Sequence, residues 1–170
     1  DRKGALRTTP GKLVNSEAYY NLLFFDVVNS TGKEEQVNKF FEVLKYRKEA
    51  TENLLKRIGD ANYVSFPTLE DSIEYGKWLL ITAKNQGIEI TIGIHSSHEN
   101  WPKGINVPDE QCFSMSVVAQ CQKLGEPHSI VISKNVMNEL PSEKQNEFTE
   151  HKVVKKQDLE IKTYIWKQNE

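Results

Sequence analysis

The sequence predicts an α+β domain in which helices flank a mixed sheet, and three observations carry that expectation. Segments of helical and strand periodicity alternate along most of the chain, the pattern of helices packed on a sheet. Leu22-Leu23-Phe24-Phe25 is continuously apolar, as expected of a central strand covered on both faces. Ile88, Ile90, Ile92 and Ile94 alternate with other residues, which turns one face of a second strand toward a core.

The elements follow in order. The aromatic and branched run 18–28 is a strand that ends in Asp26-Val27-Val28-Asn29-Ser30-Thr31-Gly32, whose tail carries turn chemistry. Val37, Phe40, Phe41 and Leu44 have helical spacing and predict a helix over 34–50, with Ser30 or Thr31 as its cap. Residues 53–58 and 62–66 read as two strands of a hairpin joined by the tight turn Gly59-Asp60. Pro67 opens a helix that buries Ile73, Trp78, Leu79 and Ile81 and ends before Gly87. The isoleucine-rich strand 89–96 comes next, then an irregular stretch 97–111 containing Pro102, Gly104 and Pro108. Residues 113–124 predict a helix closed by Gly125, 129–133 a short strand, 136–140 a helical turn, and 153–154 with 160–166 a final hairpin.

Bulk properties narrow the function classes. A chain of 170 residues is one domain, here 18–170, preceded by a polar arm or linker at 1–17. A net charge of −2 argues against a nucleic-acid binder, which needs a clustered basic excess. No apolar run approaches the roughly 20 residues that span a bilayer, so no membrane contact is expected of this domain. No leader is visible, and Cys112 and Cys121 lack metal-ligand spacing. A cytoplasmic protein with reduced thiols is the expectation.

Two acidic residues stand out by position. Asp26 closes an apolar strand and Asp60 sits in a hairpin turn. Either alone is most simply a cap or turn former. Fixed at the ends of adjacent strands, however, two such carboxylates converge on hard cations, and Mg²⁺ takes one or two carboxylates together with phosphate oxygens. A metal pair of that kind clamps the attacking and leaving oxygens of a displacement at phosphorus.

The surroundings of both residues resemble a known family. Phe24-Phe25-Asp26-Val27-Val28-Asn29-Ser30-Thr31 is similar to the first metal-binding motif of class III adenylyl and guanylyl cyclases, and Lys56-Arg57-Ile58-Gly59-Asp60-Ala61 to the second. Thr91-Ile92-Gly93-Ile94-His95-Ser96, Leu124-Gly125-Glu126-Pro127 and Ile130-Val131-Ile132-Ser133 resemble later segments of the same family, in the same order. The resemblance implies a ferredoxin-like, palm-type mixed sheet with flanking helices. It implies two divalent ions, Mg²⁺ or Mn²⁺, on Asp26 and Asp60 with help from the carbonyl of Val27. The implied reaction is attack of a ribose 3′-hydroxyl on the α-phosphorus of a nucleoside triphosphate, expelling pyrophosphate. Lys56 and Asp109 match positions that read an adenine base, which favours ATP. Lys155 and Lys156 match the place of a lysine on the triphosphate. Lys56 is four positions from Asp60, about 13 Å along a strand. The two would therefore serve different sites, and the family's head-to-tail homodimer provides them.

One departure matters. The family carries an Asn and an Arg one turn apart before the Leu-Gly-Glu-Pro stretch, whereas no Asn or Arg occurs between Val107 and Lys134. Depending on register, Ser116 or a neighbouring Val and Gln120 or a neighbour stand in the matching places, and Gln120 is the candidate catalytic donor. A neutral amide in place of a charged contact to a developing phosphorane lowers the rate by about 10²- to 10³-fold. Lys123, Lys155 and Lys156 are candidate replacement cations. Two alternatives to an ATP cyclase therefore stand: an inactive cyclase-like module that binds nucleotide and relays a signal, and a pyrimidine cyclase (UTP or CTP) of bacterial anti-phage signalling. A diguanylate-cyclase-like palm is disfavoured, because Ile58-Gly59-Asp60-Ala61-Asn62 lacks that family's turn.

Overall fold

A computed structural model describes the backbone of residues 21–96, 109–156 and 159–169, and the side chains of 21–96, 114–155 and 160–169. Strand β1 (Asn21–Val28) is buried on both sides over most of its length. That burial follows from its place inside a seven-stranded sheet of order β2-β3-β1-β4-β5-β7-β6. The other strands are β2 (Leu54–Ile58), β3 (Ala61–Phe66), β4 (Glu89–Ser96), β5 (Ser129–Ser133), β6 (Thr149–Lys156) and β7 (Leu159–Lys167). β4 and β5 are parallel and the remaining neighbours antiparallel, so the sheet is mixed as expected.

The helices are α1 (Glu34–Leu44), α2 (Glu49–Glu52), α3 (Leu69–Asn85), α4 (Asp109–Lys123), α5 (Lys134–Glu139) and α6 (Ser142–Gln145). Helices α1, α3 and α5 cover one face, where Val37, Phe40, Leu79, Leu80 and Val136 pack on Phe25, Ile90, Ile92 and Ile94. Phe25 meets Phe40 edge-on at 6.0 Å, which adds a directional contact to the burial. Helix α4 covers the opposite face, where Val118 packs on Leu22, Phe24 and Tyr63, and Val117 and Cys121 pack on Val131 and Ile165. β1 and β4 are therefore sandwiched, which explains why their sequences are apolar on both sides.

The structure corrects several expected boundaries. The helix expected over 34–50 stops at Leu44 and resumes as the short α2, because Arg47 turns back to pair with Glu49 at 2.9 Å and lies over the Trp78 ring. Helix α3 begins at Leu69, not Pro67; the hydroxyl of Thr68 caps it by accepting from the Asp71 N–H. Helix α4 begins at Asp109, so that residue opens a helix where an irregular segment was expected. In the final hairpin β6 extends over Thr149–Lys156, well beyond the positions 153–154 that marked it, while β7 at Leu159–Lys167 agrees with the expected 160–166 to one residue at each end. The expected arm at 1–17 lies outside the described residues, as do residues 97–108 of the expected irregular stretch. No described helix is long and apolar enough to cross a membrane.

Candidate active site

Strand pairing brings the two carboxylates together. Phe25 of β1 is opposite Asn62 of β3, so the next residue, Asp26, falls beside Ala61 and the adjoining turn residue Asp60. The turn between β2 and β3 has Gly59 at φ 59°, a left-handed backbone that glycine adopts without a Cβ penalty, and this delivers Asp60 at the sheet end. Asn29, at φ 54°, turns the chain after β1 and donates to Glu89 at 2.7 Å, which anchors the loop that follows Asp26.

The Asp26 carboxyl is raised from its ordinary pKa. Burial is the largest cause, the negative charge of Asp60 adds to it, and the hydrogen bond donated by the Val27 N–H opposes it. The β1–β3 register and the Gly59 turn put the two residues in one neighbourhood, in keeping with that charge effect. Among the described residues neither has an ion-pair partner. Two partly buried acids of like charge, uncompensated by a base, are the donor set that a hard divalent cation satisfies. Among the described residues no group of three or more His, Cys, Asp and Glu side chains is placed to hold a metal. A cation bridging Asp26 and Asp60 would thus need further oxygens from the Val27 backbone, water or a bound phosphate.

The remaining expected site residues are spread over the fold. Lys56 of β2 is exposed and opposite Tyr63, itself opposite Phe24, so it shares the α4 face with Asp26. Two strand spacings and two residues separate Lys56 from Asp26, about 12 Å between backbones. Gln120 is half-buried on the side of α4 turned away from the sheet, since Val117, Val118 and Cys121 occupy the inward side. Asp109 is the first residue of α4, and its side chain lies outside the described residues. Lys155 is on β6, four strands from β1 and so about 19 Å away across the sheet. It faces away from the α4 side, beside Glu160 at 4.0 Å, so this chain does not bring it to the carboxylate pair. Lys156 ends β6, with its side chain outside the described residues.

The structure adds residues that the sequence reading passed over. Thr91 of β4 is directly opposite Asp26, and Gln122 of α4 donates from Nε2 to the Thr91 hydroxyl. Gly93 lets α4 lie directly on β4, because a Cβ there would meet Gln122 N at 2.5 Å and Val118 O at 2.6 Å. A lone glycine inside an alternating strand is the signal that marks such an approach. His95 is buried, and its Nδ1 and the Ser133 hydroxyl share a hydrogen bond at 2.8 Å. A separate cavity of about 220 Å³ lies between α3 and the α5–α6 segment, lined by Leu69, Ile73, Lys77, Leu140 and Phe148. It is on the α3 face and does not touch the carboxylates.

No protein-family model matches the chain, and no curated protein matches it. Solved structures do. An adenylate/guanylate cyclase/hydrolase from Silicibacter pomeroyi superposes with a TM-score of 0.65 at 16% identity, covering 88% of this chain and 96% of that one. Adenylate cyclases from Trypanosoma brucei, analysed in their monomeric state, superpose with a TM-score of 0.64 at 11% identity over 85% of this chain and 87% of the other. The guanylate cyclase domain of RhGC from Catenaria anguillulae, solved in complex with GTP, gives 0.59 at 16% identity over 88% and 96%. The chain therefore has the fold of the adenylate and guanylate cyclase catalytic domains.

Proposed function

We propose that this domain is a nucleotidyl cyclase, converting a nucleoside triphosphate, with ATP favoured, to a 3′,5′-cyclic nucleotide and pyrophosphate. The observation that carries the reading is the like-charge pair Asp26–Asp60, brought together by β1–β3 pairing at the end of a cyclase-type sheet. Two divalent ions, Mg²⁺ or Mn²⁺, would be held there, and when bound they supply charge neutralisation at the reacting phosphate and a more acidic 3′-hydroxyl. The chain's own residues then bind and orient. Asp26 and Asp60 fix where positive charge accumulates, and their strand and turn backbones hold them without reorganisation. Lys56 offers an ammonium donor to a base acceptor, and Asp109 a carboxylate to an exocyclic amine. Gln120 offers a neutral donor to the phosphate oxygens, and Lys156 at the end of β6 is the remaining candidate for the triphosphate.

This division of labour needs two copies of the chain. Lys56 is about 12 Å from Asp26 between backbones, and Gln120 is on the side of α4 turned away from the sheet, so within one chain neither is placed directly beside the carboxylates. Ile58, two residues beyond Lys56, is 52% exposed on the same face, an apolar contact left open. A head-to-tail homodimer closing over this face would seat Lys56 and Gln120 of one copy near Asp26 and Asp60 of the other.

A second reading rests on Gln120. With an amide where the resemblance calls for an arginine, the domain is alternatively a nucleotide-binding module that signals without turnover. One assay separates the readings: incubation with ATP, GTP, CTP and UTP in the presence of Mn²⁺, with detection of cyclic product and pyrophosphate. Cyclic product from ATP, lost in Asp26→Ala and Asp60→Ala, is the expected result. Product from UTP or CTP alone would make it a pyrimidine cyclase. Nucleotide binding without any product would establish the inactive module.

A further inference from the structure

Asp26 and Thr91 are directly opposed across the antiparallel pair β1–β4, so their side chains stand side by side on the α4 face. Thr91 is only 4% exposed and Gln122, whose amide donates to it, only 6%. Two close backbone approaches hold this contact in register. A Cβ on Gly93 would collide with the Gln122 nitrogen at 2.5 Å, and one on Gly125 would meet Gln122 O at 3.2 Å and Thr91 Cβ at 3.4 Å. The last turn of α4 is thus seated on Thr91, and Thr91 on the strand position next to Asp26.

The chemistry of this contact is specific. Threonine is stiff at χ1, and a hydrogen bond accepted at Oγ1 selects one of its rotamers. That bond keeps the hydroxyl turned to Gln122 and the strand position beside Asp26 closed to water, which limits the carboxylate rotamers that are open. Without the Gln122 amide, a buried hydroxyl loses its donor and space opens for water beside the carboxylate. Water there would solvate Asp26 and free it to turn, and a cation would then have to order it again.

We propose that Gln122 is a positioning residue for Asp26, acting through Thr91 to hold the carboxylate ready for a divalent cation. The inference rests on the cation-site reading given above. It also makes α4 a two-sided element. Gln122 ties its inner side to β4 beside Asp26, while Gln120, two residues earlier, is on the side turned away from the sheet.

The test is the Mn²⁺ dissociation constant of the intact protein, read from the free-ion electron paramagnetic resonance signal with no nucleotide present. Asp26→Asn serves as the reference for loss of the site. Thr91→Val removes the acceptor while keeping the shape, and Gln122→Ala removes the donor. Each is expected to weaken Mn²⁺ binding by about tenfold, the lower end of effects seen for residues that orient metal ligands. Thr91→Ser, which keeps the hydroxyl, is expected to bind close to the wild-type affinity. The double variant is expected to bind no more weakly than either single one, since both remove one interaction. Unchanged affinity in folded Thr91→Val, or losses that add in the double variant, would overturn the proposal. Should Gln122→Ala not fold, the Thr91→Val and Thr91→Ser pair still decides it. Undiminished Mn²⁺ binding in Asp26→Asn would instead remove the cation site itself, a separate failure.

Discussion

Asp26 and Asp60 are held as neighbouring carboxylates by two different devices, a buried strand and a glycine-led turn, and the charge of Asp60 raises the pKa of Asp26. Their proximity works against the metal-free fold and in favour of cation binding. Site and stability are therefore opposed here, as at many functional sites.

That opposition gives the first prediction. Asp60→Asn keeps a turn-compatible side chain and removes the repulsion, so the metal-free protein should gain stability. The gain is at most about 1 kcal/mol, the scale of a solvent-screened surface charge pair. Turnover and Mn²⁺-dependent stabilisation should both vanish. Thermal melts in EDTA and in Mn²⁺ check this; a lower melting temperature for Asp60→Asn in EDTA would show that the pair is not repulsive.

Lys56 should govern the choice of base and leave chemistry largely intact. In Lys56→Ala the preference among the four nucleotides should shift, with kcat/KM for ATP falling by about 10-fold or more relative to the others, the usual worth of one charged hydrogen bond. Initial-rate kinetics with each nucleotide decides this. An equal loss with all four would place Lys56 in packing or at a subunit contact.

His95 should make the fold sensitive to mild acid. Burial lowers its pKa to about 4, below the ordinary histidine value, so the folded state keeps the ring neutral. Between those two values the unfolded chain takes up a proton that the folded chain refuses. Stability should therefore be fully present above the unfolded value and fall as pH drops toward 4. Urea unfolding midpoints across that range measure it. His95→Gln, which can still hydrogen-bond Ser133, should flatten the slope between the two values; an unaltered slope would assign the effect to other groups.

Gly93 should be intolerant of any side chain. A Cβ would strike the backbone of α4 at Gln122 and Val118, which cannot yield as a side-chain tip does. Gly93→Ala is expected to cost about 1–3 kcal/mol, the range for overpacking a close contact. It should also weaken Mn²⁺ binding, because lifting α4 pulls Gln122 from Thr91. A stability within error of wild type in chemical denaturation would contradict the close seating of this helix.

Much of the fold was legible in the chain. The apolar run at Leu22–Phe25 announced a strand covered on both faces, and the alternating isoleucines announced which side of β4 meets α3. The glycine and aspartate between two short β-prone runs announced the hairpin. Such features are written in local periodicity and turn chemistry, which act over a few residues. The length of β6 and the break after α1 were not legible, because they follow from pairing and ion pairs across the sheet and its helices.

The candidate site divides along the same line. By itself the sequence determined that Asp26 lies near the end of a buried strand, that Asp60 occupies a tight turn and that α4 has no arginine or asparagine to contribute. Only the tertiary structure decided that β3 carries Asp60 alongside Asp26, that Lys155 faces the other way, and that Thr91 and Gln122 stand behind Asp26. The physical reason is range: a turn or an alternating strand is set by neighbours in the chain, whereas the register of one strand on another and the seating of a helix on a sheet are set by packing between residues far apart in it.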